Sequence, residues 1–313
     1  MQKPTTDGKL SIAVMGVGSL GQHHARILSD LEGVELAGVI DPDAGRASEI
    51  AGKFGTRVLP TDADLTGLDG VVIAAPTRLH RELAVPLLEA GVGVLCEKPL
   101  ATSILECDDI LTARNRSGAA LLVGHIEHFN PGVEALSRFV LEPGFMEVHR
   151  LGVFVPRSLD VDVILDLMIH DIEIAQSLVR RPVSKVEAVG VRVLTPYVDL
   201  ANARISFEGG CVANLTASRI SKDKVRKLRV FQPAAYLSVD YSEQAVEYYR
   251  VEDRDGDRTI ANIPVVVNKK EPLRCELEHF ARVLRGEEQP KVGGEAARDA
   301  VAVAQTILQC MAP

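Results

Sequence analysis

The sequence predicts an α/β protein of two domains. A doubly wound parallel sheet wrapped by helices is followed by an α+β domain with an open, mainly antiparallel sheet. Three observations carry this expectation. Strand-like and helix-like runs alternate through the first 125 residues, which is the βαβ rhythm of a parallel sheet. The first apolar run ends in Gly16-Val17-Gly18-Ser19-Leu20-Gly21, a glycine-rich turn placed between a strand and a helix. Near Asn130-Pro131 the character changes, and strand-like segments dominate from Val186 to Val267.

The elements follow in order. Strands are expected at Leu10–Met15, Val34–Ile40, Gly70–Ala75, Gly93–Cys96 and Leu121–Gly124, with helices at Leu20–Leu31, Ala44–Phe54, Arg78–Ala90 and Ile104–Asn115. Ser103-Ile104-Leu105-Glu106 reads as a capping box at the start of the last of these. Beyond it come a helix at Gly132–Leu141, a strand at Met146–Phe154 and a strongly apolar helix at Val163–Val179. Gly209-Gly210 punctuates a hairpin between Ala203–Phe207 and Val212–Ser218, and two helices, Pro272–Arg285 and Gly294–Met311, close the chain. The charged stretch Glu252–Arg258 reads as a solvated turn. Residues 1–125 and 126–313 form the expected domains, with the C-terminal helix free to return to the first.

A chain of 313 residues suggests about two domains. Its net charge of −8 argues against a general binder of nucleic acid or of anionic membranes. No leader-like segment precedes the first strand, and no apolar run approaches a membrane span. The five cysteines are scattered and form no Cys-x-x-Cys pair, so neither a disulfide framework nor a cysteine zinc site is indicated. A reducing cytoplasm fits this usage.

The glycine turn carries the first chemical inference. Gly16 allows a tight turn, Gly18 a close approach of the backbone to a pyrophosphate, and Gly21 close packing of helix on strand. Ser19 and Leu20 complete the loop, and the N–H groups of the helix start attract phosphate charge. Asp41 ends the second strand twenty residues after Gly21, where a carboxylate accepts from the ribose hydroxyls of NAD and repels the 2′-phosphate of NADP. NAD is therefore the expected cofactor.

Ligands of such sheets bind outside the carboxyl ends of the strands. Ala75-Pro76-Thr77 with His80, Glu97-Lys98-Pro99 and Gly124-His125 all fall at strand ends. The Lys98 ammonium there suits a substrate hydroxyl or the nicotinamide ribose, although most lysines are simply solvated. In Val163–Val179, Asp166, His170, Glu173 and Ser177 recur at helical spacing. A carboxylate four residues before an imidazole on one face can orient a general base, and a polar stripe on an exposed edge is the plainer alternative. His125, His128, Asp166 and His170 supply zinc-ligand types but no recognised short motif, so no metal is expected. The basic run Arg219–Arg229 reads either as a site for a phosphorylated substrate, with Arg219 and Lys222 foremost, or as a charged hairpin edge.

Taken together, the glycine turn, Asp41, Ala-Pro-Thr-Arg-Leu-His, Glu97-Lys98-Pro99 and Asp166-Leu-Met-Ile-His170-Asp171 resemble the Gfo/Idh/MocA oxidoreductases over almost the whole chain. The resemblance implies an N-terminal Rossmann domain and a C-terminal substrate and oligomerisation domain. It implies that Lys98 and His170 act at the reacting carbinol with Asp166 beside them. Val123-Gly124-His125-Ile126-Glu127-His128-Phe129-Asn130-Pro131 is similar to the Gly-His-x-Glu-Arg-Phe-Asn-Pro segment of the UDP-N-acetylglucosamine 3-dehydrogenases, with His128 where that subgroup has arginine. Ile164–Ile174, Asn214–Ser218 and Arg226–Tyr236 are similar to it too.

The subgroup implies oxidation of a sugar nucleotide at C3, with a 3-keto product passed to an aminotransferase for amino-sugar and lipid A precursors. His125, Asn130, Arg157, Arg219 and Lys222 are the candidate substrate contacts, and a homodimer or homotetramer is implied. A dehydrogenase of a free sugar or inositol is the alternative within the class, and a non-catalytic NAD-binding regulator the alternative outside it.

Overall fold

The computed structural model describes residues 8–155, 161–254 and 257–311. The chain divides into two compact units, one of Met1–His125 with Leu273–Arg298 and the other of Ile126–Pro272 with Asp299–Pro313. Residues 273–298, expected in the second domain, belong to the first.

The first unit holds five parallel strands, β1 (Leu10–Met15), β2 (Val34–Ile40), β3 (Gly70–Ile73), β4 (Gly93–Glu97) and β5 (Leu121–Gly124), in the order β2-β1-β3-β4-β5. Their near-continuous Val, Ile and Leu runs are buried, as expected of a parallel sheet covered on both faces. Helices α1 (Gly21–Leu28), α2 (Ala44–Lys53), α3 (His80–Glu89) and α4 (Ile104–Ser117) make the crossovers. The helix expected to begin at Arg78 instead opens with a 3₁₀ turn, Thr77–Leu79. Helix α7 (Pro272–Leu284) packs on this sheet: a Cβ on Gly70 would lie 2.8 Å from Leu284, and one on Gly93 only 2.2 Å from it. Only glycine at those two positions lets α7 sit so close. Spacing alone does not reveal this, because α7 lies about 150 residues downstream of β5.

After a 3₁₀ turn at Ile126–Phe129, the second unit continues with α5 (Pro131–Ser137), β6 (Phe145–Leu151), a π-helical turn at Ile164–Met168 and α6 (Ile169–Val179). Seven further strands follow: β7 (Val183–Val191), β8 (Leu200–Phe207), β9 (Val212–Ser218), β10 (Val225–Gln232), β11 (Ala235–Asp240), β12 (Ala245–Arg254) and β13 (Asp257–Asn262). They form one sheet ordered β13-β12-β11-β10-β6-β9-β8-β7. Every pairing is antiparallel except β6 with β9. Gly209 and Gly210, both at positive φ, turn the β8–β9 hairpin. Helix α8 (Gly294–Cys310) closes the chain.

Two expectations are corrected. The charged stretch 252–258 is largely β12 and β13, paired from Tyr249↔Asn262 to Arg254↔Asp257, and Asp253 stands opposite Arg258, a pairing of unlike charges. The basic run is no sheet edge. β10 lies inside the sheet between β6 and β11, and Arg229 meets Glu147 of β6 at 2.6 Å.

Candidate active site

In the first unit the strand order reverses between β1 and β3, the point at which sheets of this class bind ligands. The glycine turn lies there. Gly16 has φ +83°, and a Cβ on it would come within 2.8 Å of the Ala74 and Ala75 backbone. A Cβ on Gly21 would lie 1.7 Å from the Gly16 carbonyl oxygen. Gly18 differs, since nothing lies within 4 Å of its added Cβ. Thus two glycines are required by the protein's own packing, and the third leaves backbone open to a ligand. No side chain caps the N-terminus of α1, and no acid stands in its first turn. Those N–H groups and the helix dipole suit a pyrophosphate.

Asp41 is buried at the end of β2. Its Oδ2 accepts from Val17 N at 2.9 Å and its Oδ1 from Asp43 N at 2.9 Å. A carboxylate has about four acceptor positions, so Asp41 fastens the glycine turn and still has capacity for ribose hydroxyls. The turn, the helix end and this carboxylate fit a dinucleotide.

The turns after β3 and β4 are joined by His80. Its buried imidazole lies 2.9 Å from Ala75 O and 3.0 Å from Pro99 O. This residue, expected at the cofactor, spends both ring nitrogens on the protein. Thr77 opens the 3₁₀ turn beside it, half-buried, after an exposed Pro76. Ser19 and Leu20 are exposed in the glycine turn. Glu97 ends β4, and its Oε1 lies 2.7 Å from Nε2 of His24 on α1 while its Oε2 accepts from Lys98 N at 3.2 Å. Burial works against the Glu97 anion, but His24 and Lys98 outweigh it and hold the carboxyl below its usual range. Lys98 follows, half-buried, with a cis bond to Pro99. His125, buried, follows β5. The first unit places the expected cofactor residues at the ends of β1, β2, β3 and β4 or in the turns and helix starts that follow them.

In the second unit Asp166 and His170 share one helical segment, but not as a regular α-helix. Asp166 lies in the π-helical turn and His170 is the second residue of α6. An i→i+5 turn is wider than an α turn, so four residues fall short of a full turn there, and the simple one-face geometry expected for this pair is altered. His170 is 9% exposed. Its neighbours fix α6 from both sides. Asp171 takes a two-pronged bond from Arg150 of β6, Nε at 2.8 Å and Nη2 at 2.7 Å, while Arg150 Nη1 reaches Glu127 at 2.8 Å. Burial alone would lower the Arg150 guanidinium, but the Asp171 and Glu127 carboxylates push it well above its usual range. The Tyr241 ring lies 5.2 Å from the guanidinium. Glu173, also on α6, meets His128 at 3.1 Å, so the histidine standing in place of the expected arginine faces an α6 carboxylate.

Asn130 is the N-cap of α5. Its Oδ1 accepts from Gly132 N at 3.0 Å and its Nδ2 donates to Tyr241 O at 2.9 Å. Arg219, buried, donates to Val161 O at 2.6 Å and stands 4.0 Å from Asp199. These two candidate substrate contacts are thus engaged in holding loops. Lys222 is exposed. Arg157 lies outside the described residues.

Sequence reasoning passed over His24, Glu276, Arg150 and Asp199. Two of them carry a legible signal. Glu276 stands four and eight residues before Phe280 and Leu284, on the buried stripe of α7. Arg150 is in phase with Met146 and Val148 on the inward face of β6.

Comparison with known proteins agrees with these features. Residues 10–125 match the model described as oxidoreductase family, NAD-binding Rossmann fold, and residues 147–235 match the GFO/IDH/MocA C-terminal domain. The chain is 35% identical over 299 residues to a UDP-N-acetylglucosamine 3-dehydrogenase of Acidithiobacillus ferrooxidans, covering 93% of this chain and 94% of that protein. A solved structure of the enzyme of that name from the same organism superposes with a TM-score of 0.90 at 33% identity, covering 97% of this chain and 98% of the other. An inositol 2-dehydrogenase of Saccharopolyspora erythraea is 36% identical over 185 residues, covering 54% of this chain and 53% of that protein.

Proposed function

Since this chain belongs to the Gfo/Idh/MocA family of NAD-dependent dehydrogenases, we propose that it oxidises a sugar-nucleotide hydroxyl, C3 of UDP-N-acetylglucosamine, to the ketone. The observation that carries the substrate class is coverage. Similarity to the sugar-nucleotide enzyme runs through 93% of the chain, whereas that to inositol dehydrogenases covers between 41% and 67% of it. The second unit, expected to bind substrate, is therefore included in the first match.

Bound NAD supplies the hydride acceptor. The chain's own residues do the remaining work. The imidazole of His170 takes the proton from the C3 hydroxyl, and Asp166 orients that imidazole. The Lys98 ammonium donates to the same oxygen and stabilises the charge that grows on it. Arg150 and His128 hold α6, and so His170, through Asp171 and Glu173. The Glu97-Lys98-Pro99 turn is held by His24 and His80. The 3-keto product calls for a transaminating partner, in line with amino-sugar and lipid A precursor synthesis in the cytoplasm, and the active form is a homodimer or homotetramer. Among the described residues no helix is long and apolar enough to cross a membrane.

The test is NADH formation from UDP-N-acetylglucosamine, run with glutamate and a sugar-nucleotide aminotransferase to pull the equilibrium. Replacing His170 by Ala is expected to cost about 10²- to 10⁴-fold in rate, the contribution of a general base; near-full turnover in that variant removes His170 from the role. The 36% identity to the inositol enzyme favours one second reading, a free polyol as substrate. NADH from inositol and none from the sugar nucleotide would establish it.

A further inference from the structure

Behind the Glu97-Lys98-Pro99 turn lies a group of acids and an imidazole that the proposed reaction does not use. Among the described residues, His24, Glu97 and Glu276 form the only group that brings three metal-ligating side chains together, with one atom of each within 4.8 Å of the others. They come from α1, β4 and α7, and all three are buried. Glu276 is 0% exposed, and neither carboxylate oxygen has a hydrogen-bond partner among the described residues. Its place on α7 is one that Phe280 and Leu284 continue, so an apolar residue would fit the helix pattern as well. A wholly buried carboxyl with nothing to bond is unfavourable, and something must offset that.

Two occupants could bridge the three atoms. Corners no more than 4.8 Å apart leave a common centre at most about 2.8 Å from each, which admits a water at O–H···O length. Zinc, at about 2.1 Å from its ligands, would have to displace the proton that His24 and Glu97 share. His24 and Glu97 already bond each other directly at 2.7 Å, which leaves Glu276 as the group to be joined to them. Burial, reinforced by the Glu97 charge, pushes the Glu276 carboxyl well above the usual carboxylate range. The other ionisable groups around the pair are His24 from α1, Lys98 after β4, and Cys96 of β4, itself pushed up by burial and by Glu97. A second anion here would stand beside the Glu97 charge, whereas a neutral acid can donate.

We propose that Glu276 is a positioning residue, a neutral acid that donates through one buried water to Glu97 and so fixes the carboxylate next to Lys98. Glu97 has little freedom otherwise. Its carboxyl lies 3.1 Å from the position of a Cβ on Gly124, and its two oxygens are committed to His24 and to the Lys98 N–H. The prop keeps a single negative charge behind the Lys98 ammonium and keeps it in one place. This rests on the proposed role of Lys98, but its test does not need the substrate.

Three variants of the full chain are compared: wild type, Glu276→Gln and Glu276→Leu. Infrared spectra of the ligand-free protein at neutral pH are expected to show a protonated carboxyl band that Glu276→Gln removes. Glutamine keeps a donor and cannot ionise. Its thermal midpoint is therefore expected to gain on wild type as pH is raised from about 5 to about 8, because wild type must keep a proton that its unfolded chain loses above about pH 4.3. The Lys98 ammonium, followed by NMR of the ¹³C-methylated protein with Lys98→Arg to assign it, is expected to titrate alike in wild type and Glu276→Gln and to shift in Glu276→Leu. A stoichiometric metal in the purified protein, a midpoint difference independent of pH, or a Lys98 titration unchanged in a folded Glu276→Leu chain would each overturn the proposal. Absence of turnover on any sugar nucleotide, with these three results as expected, would count against the reaction and leave the prop standing.

Discussion

Asp199 and Glu276 are both fully buried acids, and their surroundings drive them in opposite directions. Among the described residues neither Glu276 carboxylate oxygen has a hydrogen-bond partner. The Asp199 carboxylate accepts from the backbone N–H groups of Val193, Leu194 and Thr195 at 2.7–2.9 Å and from the Thr195 hydroxyl at 2.7 Å. Burial opposes the anion, but those bonds outweigh it and bring the group down to about 2. A depressed folded value means that the stabilisation is present above the unfolded value of about 3.9 and is lost as pH falls toward and through 2. Asp199→Asn is therefore expected to cost about 2 kcal/mol in urea unfolding at neutral pH, with the gap to wild type closing in acid. The glycines give a second residue-scale prediction. Gly21→Ala, with its Cβ 1.7 Å from the Gly16 oxygen, should lose both thermal stability and NADH binding. Gly18→Ala, where the added Cβ meets no protein atom within 4 Å, should keep its melting temperature and lose affinity for NADH measured by fluorescence.

Helix α4 shows how far a local signal carries. Ser103 accepts from Glu106 N at 3.2 Å, and the Glu106 carboxylate turns back to Thr102 N at 3.0 Å, one residue ahead of the usual return bond of a capping box. Ser103→Ala is expected to cost about 1 kcal/mol, read from the urea midpoint. Such caps are legible because all the partners lie within five residues. The π-helical turn before α6 was not legible. Ile164–Met168 has the same apolar composition as the α-helix that follows, and the choice between i→i+4 and i→i+5 bonding is made by what the segment packs against. β10 makes the same point. Three of the six basic residues of Arg219–Arg229 lie on it and suggest an edge, yet β6 and β11 flank it, with Arg229 paired to Glu147 of β6 and Lys227 opposite Asp240 of β11.

Across the whole chain, the contribution of α7 to the first unit is the main feature that reading in order misses. Leu284 and Phe280 fill the space left by Gly70 and Gly93 at the start of β3 and β4. Truncating Leu284 to Ala in the intact chain is expected to cost about 2–5 kcal/mol, the range for buried leucines. Because that residue belongs to the nucleotide-binding unit, bound NADH should raise the midpoint of the variant as it raises that of wild type. A midpoint that NADH leaves unchanged in the variant would mean that α7 shapes the cofactor site as well as the core.

The sequence alone determined the two-part α/β architecture, the glycine turn with Asp41, the strand-end placement of Lys98 and the helix bearing Asp166 and His170. Each of these rests on short-range periodicity, on the stereochemistry of glycine, or on a spacing that one βαβ unit imposes. Tertiary structure decided which polar residues serve the fold. His80 ties two turns, Asn130 caps a helix, Arg219 holds a loop, and Arg150 anchors α6 through Asp171. It also brought Glu276 to within 4.8 Å of the group formed by His24 and Glu97, from about 180 residues farther along the chain than Glu97. Whether a buried polar group is satisfied depends on partners distant in sequence, and only the folded chain supplies them.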